Sequence, residues 1–154
     1  MGAKLTNSQP PHRRYRYGLP TCLTDGLRGT ENFRNEAWAA WRGTPVDLLV
    51  EMSQEQTISS VAAGVLRNQM DNIFLPESLT VAVSCDGENF TEVASEKYDV
   101  QEKAENCLVD LELTFPEVTA KYVKLTFVPL AQMPEWRQQD GNSAYAFIDE
   151  IIVR

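Results

Sequence analysis

The amino-acid sequence predicts an all-β protein, an antiparallel β-sandwich or barrel of about eight strands. Two observations carry this expectation. Apolar residues recur at every second position through most hydrophobic runs, the period of a half-buried strand, and no segment holds the three-turn apolar stripe of a stable helix. A third supports them: Pro, Gly, Asn and Asp punctuate the gaps between runs, as connections between antiparallel strands require.

Taken in order, the first strands predicted are VDLLVEM (46–52) and TISSVAAGVL (57–66). LTVAVSC (79–85) sets Leu79, Val81, Val83 and Cys85 against Thr80, Ala82 and Ser84, and Asp86-Gly87 ends it with a strong turn signal. A short strand, FTEVA (90–94), follows. CLVDLELTF (107–115) places Cys107, Val109, Leu111, Leu113 and Phe115 on one face, and KYVKLTFVP (121–129) does the same with Val123, Leu125 and Phe127. FIDEIIV (147–153) closes the set. The inward faces predict a core containing Val81, Val83, Val109, Leu111, Leu113, Val123, Leu125 and Phe127, with Cys85 and Cys107 turned inward as small hydrophobes. ENFRNEAWAAW (31–41) has room for one short helical turn.

Composition narrows the functional classes. A length of 154 residues suits one domain with a real core, so 1–154 reads as a single unit. A net charge of −8 argues against nucleic acid, whose phosphates need clustered cations. The one basic run, His12-Arg13-Arg14-Tyr15-Arg16, lies in a Pro-rich segment and reads as a solvated loop. Cys22, Cys85 and Cys107 cannot all pair with one another, and no C-x-x-C spacing suggests zinc or redox chemistry. No stretch reaches the length of a membrane span, and the first residues lack the apolar run of a signal peptide. With a single histidine, no G-x-S-x-G, no H-E-x-x-H and no phosphate-cradling loop, the expectation is a domain without catalysis of its own.

The connections hold the chemistry. Residues 6–45, 67–72 and 129–146 are long or irregular, and long loops in compact domains usually carry function. In LTDGLRGTENF (23–33), Asp25-Gly26 and Gly29-Thr30 admit two readings. One is a pair of ordinary turns; the other is a cation loop in which the Asp25 carboxylate, the Thr30 hydroxyl and intervening carbonyls converge on a hard ion. In the last strand, alternation sends the adjacent Asp149 and Glu150 to opposite faces, so one of them is buried and needs a cation, either Arg or Lys or a bound metal.

LTDGLRGTENF, EAWAAWRG, VDLLVEM, ISSVAAGVLRNQMDNIFLPESLTVAVSCDGENF and PEWRQQDGNSAYAFIDEIIVR, in that order, resemble the coagulation factor 5/8 type C (discoidin) family. The likeness is closest to galactose-binding-like modules at the C-terminus of bacterial family 20 glycoside hydrolases, β-hexosaminidases or chitobiases of Bacteroides-like bacteria. The resemblance implies a jelly-roll sandwich with a structural calcium ion. The ion would be held by Asp25 and Thr30 of the D-G-x-x-x-T loop, by carbonyls near Leu27 and Arg28, and by Glu150. It also implies a carbohydrate site built from Arg67 and Asn72, with Glu36 and Trp38 on the first loop and Trp136 or Tyr145 as the stacking aromatic; no His stands beside Glu36. The partners implied are a galactoside or N-acetylhexosamine glycan and the catalytic domain of a parent hydrolase, with the isolated domain a monomer. The location implied is periplasmic, cell-surface or secreted, within a larger protein. The competing expectation is an interaction module that packs on its parent enzyme without touching sugar, in which Trp136 only seals a loop.

Overall fold

In a computed structural model, the described residues are 4–8, 10–12, 23–34, 37–99, 102–137 and 143–154. Among them are seven strands: β1 (Lys4–Asn7), β2 (Ala39–Arg42), β3 (Val46–Arg67), β4 (Ser78–Ser84), β5 (Thr91–Lys97), β6 (Cys107–Val128) and β7 (Tyr145–Val153). Two short 3-10 turns, η1 (Gln69–Asp71) and η2 (Glu135–Arg137), complete the regular structure. The order of strands is β2-β7-β3-β6-β4-β5, with β1 also on β3, and all pairings are antiparallel.

The expected pairs 46–52 and 57–66, and 107–115 and 121–129, are two long strands of 22 residues each, β3 and β6. Each passes through both layers of the sandwich. The first part of β3 pairs with β1 and with the second part of β6, which pairs in turn with β4. The second part of β3 lies between β7 and the first part of β6. The corner falls where the register slips between Glu51 and Gln56 and between Ile58 and Ser60. Pro116 sits opposite the second slip, at a point where its missing N–H leaves no regular ladder bond unmade. Exposed Ser53–Thr57 form the outside of the bend.

The layers fold face to face. One apolar cluster joins Val46, Leu48 and Val50 to Val61, Ala63, Val65 and Ile148, and the Trp41 ring of β2 meets Phe127 of β6 edge to face at 5.3 Å. Of the expected core, Val81, Val83, Leu111, Leu113, Val123, Leu125 and Phe127 are buried and Val109 packs against them half-buried.

Three local expectations are corrected. Residues 39–41 of the expected helical turn are strand, because β2 pairs with β7 and tertiary pairing overrides a short helical preference. Cys85 lies past the end of β4, where alternation no longer applies, and is exposed; its thiol reaches the Thr119 carbonyl at 3.4 Å. Cys107, at the first position of β6, is only half-buried.

Candidate functional site

The loop after Leu23 lies over the outer side of the β2-β7-β3-β6 layer. Its start is tied to β7 by the Ile151 N–H, which donates to the Leu23 carbonyl at 2.8 Å. Gly26 takes φ 81°, which a residue with a Cβ rarely adopts. Asp25 closes its turn by accepting the Leu27 N–H at 2.8 Å. Farther on, the Trp38 indole donates to the Thr30 carbonyl at 2.9 Å, and the Thr30 hydroxyl accepts the Asn32 N–H at 3.3 Å. Gly29 lies so close to Trp38 that a Cβ would stand 2.2 Å from the ring.

Beneath the loop, the adjacent carboxylates of β7 do not alternate. Ile148 pairs with Val65 and Glu150 with Gly64, so Asp149 is the extra residue of a β-bulge. Ile148 and Ile151 both enter the core, while Asp149 and Glu150 both meet the loop, which corrects the expectation of opposite faces. Asp149 is 2% exposed and Glu150 6% exposed. Asp149 Oδ2 accepts the Gly29 N–H at 2.7 Å and Arg28 Nε at 3.0 Å, and the same guanidinium reaches Asp110 on β6. Asp149 Oδ1 is buried without a hydrogen-bond partner and lies over Gly64. Glu150 Oε2 accepts the Gly26 N–H at 3.2 Å. Burial pushes the Glu150 carboxyl up to about 7; the charges of Asp25 and Asp149 add to this, and the Gly26 bond and Arg28 oppose it.

This arrangement bears on calcium. The Asp25 charge is close enough to act on Glu150, and Glu150 is a buried carboxylate for which a divalent ion would supply the missing positive charge. Among the described residues no three His, Cys, Asp or Glu side chains form a metal cluster, so an ion here would draw on loop carbonyls beside two carboxylates, an oxygen set suited to calcium. A cleft of about 410 Å³ opens beside Gly26, Arg28, Met52, Gln56 and Glu150.

The expected sugar residues are distributed as follows. Glu36 lies outside the described residues. Trp38 is interior: it is 1% exposed and packs with Leu66, Ile73 and Phe147, so it has no face to offer a ligand. The expectation that it lines a sugar site is thereby corrected. Arg67, at the end of β3, is partly exposed and donates Nε to the Glu105 carbonyl at 2.9 Å. Asn72 holds a left-handed conformation, φ 63°, at the end of η1; it is 9% exposed and its side-chain oxygen has no partner. Trp136 is half-buried, tilted against Phe74 at 6.1 Å, with Lys103 Nζ 5.4 Å from its ring centre. Half-buried Tyr145 meets His12 edge to face at 5.2 Å, and Arg42 lies over its ring at 4.8 Å.

These segments meet at one end of the sandwich. Arg137 of η2 donates to the Gln69 carbonyl at 2.8 Å and to that of Met70, while the Tyr145 N–H donates to the Asn72 carbonyl at 2.8 Å. The Gln69 amide grips the segment before β6, donating to the Glu102 carbonyl at 3.0 Å and accepting the Ala104 N–H at 2.9 Å. A cleft of about 310 Å³ results, lined by Arg67, Gln69, Asp99, Glu102 and Lys103 among others. Sequence reasoning missed Gln69, Lys103, Arg137 and the side chain of Arg28, since each owes its place to long-range contacts and the motif around Arg28 drew attention to its carbonyl alone. Two acids inside an apolar strand signalled one buried carboxylate on β7; that both are buried on the same side was not visible.

The architecture is that of an antiparallel β-sandwich with irregular loops gathered at one end. The chain matches the F5/8 type C domain over residues 4–151 and belongs to that family. Solved structures share the fold. CpGH89CBM32-5 from Clostridium perfringens, in complex with GalNAc-β-1,3-galactose, is 20% identical with a TM-score of 0.59, covering 98% of this chain and 94% of that one. A pectin-binding carbohydrate-binding module is 22% identical with a TM-score of 0.58, covering 97% and 88%. Chitosan-binding module 1, derived from a chitosanase/glucanase of Paenibacillus sp. IK-5, is 17% identical with a TM-score of 0.57, covering 100% and 96%. No curated protein sequence matches.

Proposed function

We propose that the chain is a non-catalytic carbohydrate-binding module. The observation that carries this reading is a polar cleft at the loop end of the sandwich, lined by Arg67 and Lys103, with the Lys103 ammonium also over the neighbouring Trp136 ring, on a fold shared with sugar-binding modules. Such a site suits a sugar: guanidinium and ammonium donors address hydroxyls, and the flat face of an aromatic ring matches the apolar face of a pyranose. Galactosides and N-acetylhexosamine glycans are the classes to try first. The parent would be an exported glycoside hydrolase of family 20, which this module would hold near its substrate.

Calcium belongs to the same proposal. Asp25, Thr30, Glu150 and the carbonyls of Leu27 and Arg28 would hold it. When bound, the ion supplies charge neutralisation and ties the loop to β7.

The test is titration of the isolated chain with galactose, N-acetylgalactosamine, chitooligosaccharides and pectin fragments, followed by amide NMR. Affinity should be weak, since a shallow polar cleft exchanges water hydrogen bonds for equivalent ones. Shifts should centre on residues 67–72, 102–105 and 136–137, and Arg67→Ala should remove them while leaving the rest of the spectrum in place. Silence at millimolar sugar would favour the interaction module, in which Trp136 seals the cluster of Phe74, Leu130 and Met133.

A further inference from the structure

Two adjacent buried carboxylates on one strand are an expensive arrangement, because each charge loses water and repels the other. The bulge in β7 makes the problem acute, since it turns Asp149 and Glu150 towards the same loop. The two are treated differently. Asp149 takes a charged hydrogen bond from Arg28 at 3.0 Å and a main-chain N–H at 2.7 Å. Glu150 takes a single main-chain N–H at 3.2 Å, with Asp25 as its acidic neighbour.

We propose that Arg28 is a built-in counter-ion that neutralises Asp149, so that Glu150 alone of the pair is reserved for a bound cation. The planar guanidinium fits this role where an ammonium would not: it bonds Asp149 through Nε and Asp110 through both terminal nitrogens, spanning β7 and β6 from one loop position. Gly64 completes the device, since its missing side chain is the space in which the Asp149 carboxylate and the Arg28 fork lie. The Arg28 side chain is thus a positioning group: whereas the main-chain carbonyl is a candidate ligand, the guanidinium is engaged by Asp149 and Asp110 and sets how many buried charges an ion has to answer. The reservation of Glu150 rests on the calcium reading; the neutralisation of Asp149 stands without it.

The experiment is a charge cycle in the full chain: wild type, Arg28→Ala, Asp149→Asn, and the double variant, each melted in chelator and in calcium. In chelator, Arg28→Ala should lose more stability than Asp149→Asn, and the double variant should recover most of that loss, because its buried group is neutral. The calcium-induced rise in melting temperature should be larger in Arg28→Ala than in wild type and return to the wild-type size in the double variant. Terbium provides a spectroscopic counterpart, with Trp38, bonded to Thr30, as the sensitising indole: half-saturation should fall several-fold in Arg28→Ala and return in the double variant. A loss that is not recovered when Asp149 is neutralised overturns the counter-ion role. If Arg28→Ala does not fold by itself, folding of the double variant supports the proposal and its failure to fold sinks it. Should no variant respond to calcium or terbium, the reservation of Glu150 and the calcium reading fall together, and recovery in chelator still decides the role of Arg28. An equal calcium response in all four variants refutes the coupling and leaves calcium binding intact.

Discussion

Gly64 has no room for a side chain. A Cβ there would stand 1.9 Å from Asp149 Oδ1 and 2.5 Å from Arg28 Nη2. Gly64→Ala should therefore destabilise the protein by about 1–3 kcal/mol or more, the cost of overpacking a rigid site, read from urea unfolding. Glu150 gives a pH signature. Its carboxyl rises from an ordinary 4.5 to about 7, chiefly through burial. The folded protein keeps a proton that the unfolded chain releases, so this contribution to stability is full below about pH 4.5 and is lost as pH rises through about 7. Melting in chelator should show that decline in the wild type and lose it in Glu150→Gln. Calcium bound at Glu150 as proposed would compete with the proton and flatten it.

At the scale of elements, β6 shows what alternation can and cannot tell. Its inward residues Leu111, Leu113, Val123, Leu125 and Phe127 were legible because each strand half keeps a period of two. Leu125, 1% exposed, should cost about 2–5 kcal/mol when truncated to Ala, measured by chemical denaturation. Its continuity past Pro116 was hidden, since a proline reads as a break unless a register slip absorbs it. β2 was hidden for another reason: AAWR has four residues and no partner nearby in sequence, and its pairing with β7 is made across about a hundred positions. The site divides in the same way. Asp25, Gly26 and Glu150 carried local signals, a turn dipeptide and an acid in an apolar strand. The bulge that turns Asp149 beside Glu150, and the burial of Trp38, follow only from how a loop settles on a sheet.

For the whole molecule, the calcium site proposed between residue 25 and residue 150 would exist only in the folded chain. An ion at 100 times its dissociation constant should add about 2.7 kcal/mol, a melting shift of about 5–11 °C for a chain of this size. Scanning calorimetry with and without chelator reads it directly, and Asp25→Ala should lose most of it. An unchanged melting temperature in the wild type would reject a stabilising ion.

The passage of β3 and β6 through both layers has a kinetic consequence. Two stacked sheets made of separate strands could slide apart or form one after the other. Here neither can be completed without the other, because the same two chains of backbone hydrogen bonds supply the middle of both. The search for the native register is therefore a single event spanning Val46–Phe127 to Arg67–Cys107, and sheets closed by distant pairings fold in milliseconds to seconds. Refolding should follow one exponential with no fast phase from an isolated layer. The slowest-exchanging amides should run along β3 and β6 on both sides of the corner, opening together only when the whole chain unfolds.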